Sequence, residues 1–211
     1  MSIRPILFNA EMVRANLDMR KTCTRRVIKG YIPKDAQWGY TAFTPDGCIS
    51  CRGIFKDGYG EKFFKLPYQK GDLLYVRETW SEWTGGYLYK AWTEPFPQPG
   101  KFSGIKWKPS IHMPREAARI WLKVTDVRVE RLQDITEDGA RLEGAIDNRG
   151  FIHAYNNEYA SIHTAREHFI EIWNSTINKV DLSLYGWEAN PFVWVIEYER
   201  IHYPENEKPF V

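Results

Sequence analysis

Apolar and polar positions along the chain follow two periods, and the changes of period mark the elements. Residues 4–8 (RPILF) form a short apolar run that predicts a strand, and Asn9 follows it as a helix N-cap. Over residues 10–19 (AEMVRANLDM), Met12, Ala15 and Met19 recur at helical spacing with Val13 and Leu17 beside them. Glu11 in the first turn suits the positive end of the helix dipole. Thr22, Thr24 and Val27 then favour extended structure. Residues 30–65 lose the pattern. They are rich in Gly, Pro, Asp and Tyr, with turn signals at Pro45-Asp46-Gly47 and Asp57-Gly58, and read as an excursion. Gln69–Asp72 predicts a turn and residues 73–80 (LLYVRETW) a strand.

A second excursion covers residues 81–117, with a strand at Tyr87–Trp92 and then a Pro/Gly loop. Residues 118–131 alternate: Ile120, Leu122 and Val124 face one side, Trp121, Lys123 and Thr125 the other. Thr136 predicts the cap of a short helix that opens with Glu137 and Asp138 and stops at Glu143-Gly144. Residues 164–178 carry Phe169, Ile170 and Trp173 on one helical face. Residues 192–200 (FVWVIEYER) close as a strand. The tail after Tyr203, over residues 204–211, is polar and expected to fray.

Few helices and many strands joined by non-helical excursions predict an α+β protein, with a mixed or barrel-like sheet and peripheral helices. The 211 residues fit one domain with a substantial core. A formal charge of +2 leaves no global footprint for a polyanion, so nucleic-acid binding needs a local basic patch. Three cysteines, Cys23, Cys48 and Cys51, make no disulfide framework and predict a reducing compartment. Residues 3–8 are too short for a signal peptide, and no apolar run approaches the roughly 18 residues of a membrane helix. The expectation is a cytoplasmic protein.

Arg20-Lys21-Thr22-Cys23-Thr24-Arg25-Arg26 packs four cations, two hydroxyls and a thiol into seven residues. Extended, it places Lys21, Cys23 and Arg25 on one side and Arg20, Thr22, Thr24 and Arg26 on the other. A turn at its start brings Lys21 and Thr24 together. A lysine beside a hydroxyl suits phosphate or carbonyl recognition, and a desolvated lysine serves as a base. The competing reading is a solvated basic face following a helix.

Other candidates are weaker. Cys48-x-x-Cys51 lacks the second ligand pair that a closed zinc site needs, and no metal is expected. Arg77 and Glu78 end a strand, and His112 lies in a rigid loop with Lys108, Ser110 and Arg115. His153, His163, His168 and His202 have no metal-like spacing. Trp80, Trp83, Trp92 and Trp107 fall in polar surroundings and read as packing residues or as a surface for flat ligands.

The succession P-I-L-F, R-K-T-x-T-R-R, G-D-x-L-x-V, V-R-E-T-W, W-K-P-S-I-H-M-P-R, V-E-R-L-Q-D-I and N-P-x-V-W-V-I-E covers most of the chain. It is weakest over residues 31–65 and 81–106. It resembles the ASCH family of the PUA-like superfold, and within it the phage- and prophage-encoded ASCH-like proteins labelled morphogenetic. The resemblance implies a pseudo-barrel, enlarged here by two loop-rich insertions (31–65 and 81–117), with a basic, hydroxyl-containing cleft for RNA or a modified nucleoside. One family branch hydrolyses the amide of N4-acetylcytidine with a Lys, a Thr and a Glu, and another is ribonuclease-like. By position these residues fall on Lys21, Thr24 and Glu143, and Met19 stands where the family has glycine.

In the scheme so implied, Thr24 attacks the amide carbonyl, Lys21 takes its proton and Glu143 protonates the leaving amine, with no metal or cofactor. Arg20, Thr22, Arg25, Arg26, Arg77, Glu78 and His112 are the expected ligand-binding residues. The alternatives are a phage-encoded interaction protein that holds a host or virion protein through aromatic loops, and a binder of modified DNA bases.

Overall fold

The computed structural model describes residues 1–93, 104–149 and 163–202. The expected fraying tail at 204–211, His153 and the Pro/Gly loop after Trp92 as far as residue 103 lie outside them. The chain divides into two compact units. The first comprises Met1–Thr22, Lys70–Thr125 and Tyr198–Val211, and the second Cys23–Gln69 and Asp126–Glu197. The larger sheet has the order β1-β6-β9-β10-β2, with β1 at Ile3–Leu7, β2 at Cys23–Val27, β6 at Leu73–Arg77, β9 at Trp121–Arg131 and β10 at Phe192–Ile201. Strands β1 and β6 run parallel, β6 and β9 antiparallel, and β10 and β2 antiparallel. The sheet is therefore mixed, and the α+β class holds. Of the expected mixed or barrel-like sheet the mixed character holds, and among the described residues no closed barrel forms.

In the first unit, Asn9 caps helix α1 (Ala10–Leu17), its side chain accepting from the Met12 N–H. Met12, Val13 and Ala15 are buried as the periodicity requires, and Asn16 joins them, donating to the Met12 carbonyl and accepting from the Tyr198 hydroxyl. The helix stops at Leu17, two residues before Met19, where the periodicity would end it. Asp18 is its C-cap, and Met19 adopts φ +57°, the left-handed region that glycine favours. The Arg20 N–H donates to the Ala15 carbonyl and the Met19 N–H to that of Asn16. This is a complete Schellman termination with methionine at the glycine position. Met19 is thus exposed rather than on the core face.

Strand β6 ends at Arg77, shorter than its apolar run predicts. The chain then forms the hairpin of β7 (Trp80–Trp83) and β8 (Gly86–Tyr89), followed by α2 (Lys90–Thr93). Tyr75, Trp80, Met113, Ala117, Ala118 and Trp121 make a core beneath it.

In the second unit, residues 30–65 are less loop-like than expected. They form an antiparallel sheet of β3 (Gln37–Gly39), β4 (Cys48–Phe55) and β5 (Gly58–Lys65). Ile49, Cys51, Gly53 and Phe55 alternate inward along β4. The Trp38 ring meets Phe64, Phe192 and Trp194 at centroid distances of 5.2, 5.5 and 6.2 Å, joining this sheet to β10.

Thr136 caps α3 (Glu137–Leu142) and Thr164 caps α4 (Ala165–Thr176) through a full capping box with Glu167. Helix α5 (Leu182–Tyr185) completes the helical layer. Phe169 and Trp173 of α4 pack with Leu132, Ile135, Ala140, Trp187, Val193 and Val195. α3 also ends in a Schellman motif: Glu143 is the C-cap, Gly144 takes φ +93°, and the Ala145 N–H reaches the Ala140 carbonyl.

The two helix ends differ only in the residue at the left-handed position, so Met19 carries a backbone cost that Gly144 does not. Met19→Gly is expected to stabilise the protein by about 1 kcal/mol, and Gly144→Ala to destabilise it by at least about 1 kcal/mol. Urea denaturation of the two variants checks both signs.

Candidate functional site

The basic segment leaves α1 at the left-handed turn and becomes β2, and its side chains divide by face. Lys21, Cys23 and Arg25 are buried, as extended alternation predicts, while Arg20 and Thr22 are exposed. Thr24 departs from that rule and is buried too. Lys21 belongs to the first unit, where its ammonium lies 5.4 Å from the centroid of the Phe8 ring. Arg20 lies 3.1 Å from Asp18 at the surface.

In the second unit, β2 carries chemistry on both faces. On one, the Arg26 guanidinium donates to the Thr24 hydroxyl at 2.8 Å and to the Arg25 carbonyl at 3.1 Å. This face is shared with Trp194 and Ile196, which pair with Arg26 and Thr24 in the β10 register. On the other, Arg25 is 5% exposed and makes two ion pairs, at 2.9 Å to Glu130 and 3.3 Å to Glu143. Its Nη1 also approaches the Cys23 sulfur at 3.9 Å. Gly139 packs closely on its own helix start: a Cβ there would sit 3.2 Å from the Ile135 side chain and 3.3 Å from the Thr136 hydroxyl, and at ordinary contact, 3.8 Å, from Arg25 Nη2. Arg25 Nε is buried and has no hydrogen-bond partner among the described residues.

The cluster continues along β9. Asp126, Arg128 and Glu130 share one face at two-residue spacing. Arg128 donates 2.7 Å to Glu130 and also pairs with Glu197 at 2.5 Å and Asp126 at 3.3 Å. Burial pulls against the Arg128 charge, but the hydrogen bonds to Glu197 and Glu130 outweigh it and hold its pKa above the ordinary value. In these pairs the two guanidiniums meet Asp126, Glu130, Glu143 and Glu197. The segment that is basic in sequence is, at Arg25, matched by carboxylates.

Thr24 and Glu143 thus stand on opposite faces of β2. A concerted step between them is not built by this strand. What the Arg25 face offers is hydrogen bonding: carboxylates that accept and an unmatched Nε–H that donates.

The remaining candidates lie in the first unit. Glu78 is buried and receives two hydrogen bonds from Arg119, at 2.8 and 2.9 Å, while Arg119 stacks 4.2 Å from the Tyr89 centroid. Burial pushes the Glu78 carboxyl above its ordinary 4.5, and the bonds and charge of Arg119 pull it part of the way back. Arg77 donates to the Ile111 carbonyl at 3.1 Å, whereas His112 is exposed. Trp83 and Tyr87 fall on opposite faces of the β7–β8 hairpin, because Glu82 pairs with Tyr87 and Trp83 with Gly86. Trp83 and Trp92 are exposed.

Cys48 and Cys51, three residues apart on β4, point to opposite faces, which a shared metal does not allow. Burial and Asp35 also push the Cys51 thiol up to about 11. Among the described residues no group of metal-ligating side chains forms. Sequence reasoning missed Glu130, Arg128 and Arg119; the alternating charges of VTDVRVER were the available signal for the first two.

Two measurements follow from these pairs. Arg25→Met removes the cation that Glu130 and Glu143 share and is expected to cost about 3–5 kcal/mol, while Arg141→Ala, at a surface pair, is expected to leave the midpoint nearly unchanged. Guanidinium denaturation separates the two. The raised Glu78 pKa makes its contribution to stability full below about 4.5 and lost as pH rises through the folded value. The stability of wild type relative to Glu78→Gln is therefore expected to be greater at pH 4 than at pH 7, read from denaturation midpoints at both.

No family model, no curated protein and no solved structure matches the chain.

Proposed function

We propose that the Arg25 cluster of the second unit binds the hydrogen-bonding edge of a nucleobase, as a modified nucleoside or within RNA, in an ASCH-like domain. The observation that carries this is Arg25 itself. A buried guanidinium with an unmatched Nε–H, flanked by two carboxylates, asks for a ligand with an acceptor beside a donor. A cytosine-type edge has that pattern: a ring or carbonyl acceptor next to an exocyclic amine, the amine being the group that carboxylates accept. Glu130, whose side chain is 25% exposed, marks the side of entry. Glu130 and Glu143 flank the guanidinium and disfavour phosphate at this point, so recognition is of the base rather than of the backbone.

Binding is the reading favoured by the separation of Thr24 from Glu143 across β2. Hydrolysis of an N4-acyl amide, with Lys21 as base and Thr24 as nucleophile, is its catalytic extension. One experiment covers both. Cytidine, N4-acetylcytidine and uridine are titrated calorimetrically into wild type and Arg25→Lys, and each N4-acetylcytidine mixture is assayed by chromatography for cytidine. Lysine keeps the charge but loses the planar fork, and a weakening of tenfold or more for the cytidine ligands is expected. Equal affinity in both proteins sinks the reading. Cytidine release by wild type and none by Lys21→Ala adds the hydrolase.

A further inference from the structure

The sheet of β3, β4 and β5 has a second face that the Arg25 cluster does not use. Register assigns it: Tyr59, Glu61, Phe63 and Lys65 of β5 lie opposite Ile54, Arg52, Ser50 and Cys48 of β4. The alternate residues of β4, Ile49, Cys51, Gly53 and Phe55, are buried beneath. On the outer face Tyr59 is 75% exposed, Ile54 60% and Phe63 42%. Five of the seven exposed aromatic side chains among the described residues fall between Tyr31 and Phe63.

Exposed rings without a partner are costly in water and mark a surface that meets something flat or apolar. The charges decide which. Arg52 and Lys65 stand on the same face as the rings, and Lys56 at the hairpin turn lies 5.4 Å from the Tyr31 centroid. The cations outnumber the acid there: Glu61, which accepts from the Ser50 hydroxyl, stands opposite Arg52, while Asp57 lies 3.9 Å from Lys62. Rings for stacking, interleaved with cations for a backbone, fit a single-stranded nucleic acid. Tyr59 and Phe63 are four residues apart on one strand, about 13 Å, which seats two non-adjacent bases.

We infer that the outer face of β4 and β5 binds single-stranded nucleic acid, the bases stacking on Tyr59 and Phe63 and the phosphates meeting Arg52 and Lys65. This surface stands apart from the nucleobase site, and either holds without the other.

The test uses the full chain and fluorescein-labelled oligouridine and oligothymidine 15-mers, read by anisotropy across a salt series. Neither probe contains cytosine. Expected is binding that weakens with salt, falls tenfold or more in Tyr59→Leu/Phe63→Leu, and has a smaller salt slope in Arg52→Ala/Lys65→Ala. The leucines keep the apolar area and remove the rings, and circular dichroism verifies their folding. Arg25→Lys is expected to bind both probes as wild type does, so failure of the nucleobase reading leaves this result standing. A preference for the uridine probe assigns the site to RNA and parity to either polymer. No binding, or equal binding by the leucine variant, overturns the inference. Concentration-dependent self-association in sedimentation that the leucines abolish, without oligonucleotide binding, overturns it in favour of a protein interface.

Discussion

Burying a guanidinium is the constraint around which the second unit is arranged. Arg25 leaves water almost completely, and an unpaired charge there would cost a large share of a domain's stability. Two carboxylates must therefore be brought to it, one from near the end of a long strand and one from the end of a short helix. That requirement explains features that otherwise look unrelated. α3 stops where Glu143 can turn toward β2, and Gly144 permits the stop. Val193 and Val195 continue the same face as ordinary core. The polar cluster is thus embedded in apolar packing, which raises the stakes of every bond in it.

The elements with a strong period or a strong cap were legible. Asn9, Thr136 and Thr164 each cap the helix that follows, and Lys21, Cys23 and Arg25 are buried together as extended alternation predicts. What failed did so for local reasons. β4 alternates, but its inward positions include Cys51 and Gly53, which a hydrophobicity scan barely registers. Met19 continues the helical spacing and yet leaves the helix, because a termination set by hydrogen bonding overrides periodicity. The chain-level reading of residues 20–26 as basic was correct in composition and incomplete in effect. Its neutralising partners lie more than a hundred residues away, where no window on the segment reaches them.

The same distinction separates the two surfaces proposed for ligands. Around Arg25, positive charge is spent on carboxylates, and directional hydrogen bonds are what remains to recognise a ligand. On the β4–β5 face, cations stay solvated beside exposed rings, and attraction is long-ranged and tolerant of sequence. If both proposals hold, the first surface discriminates among ligands and the second only gathers them.

Strand β10 contributes residues 192–197 to the second unit and 198–201 to the first. Its early residues complete the pairing with β2, and its Tyr198 reaches Thr22 and Asn16. The β4–β5 hairpin closes over a two-residue turn and can form as soon as it is made, whereas β1 meets β6 across seventy residues. During synthesis, then, both units wait on one late segment. Until β10 is made, β2 lacks its neighbour and the charged side chain it carries has no finished interior to enter.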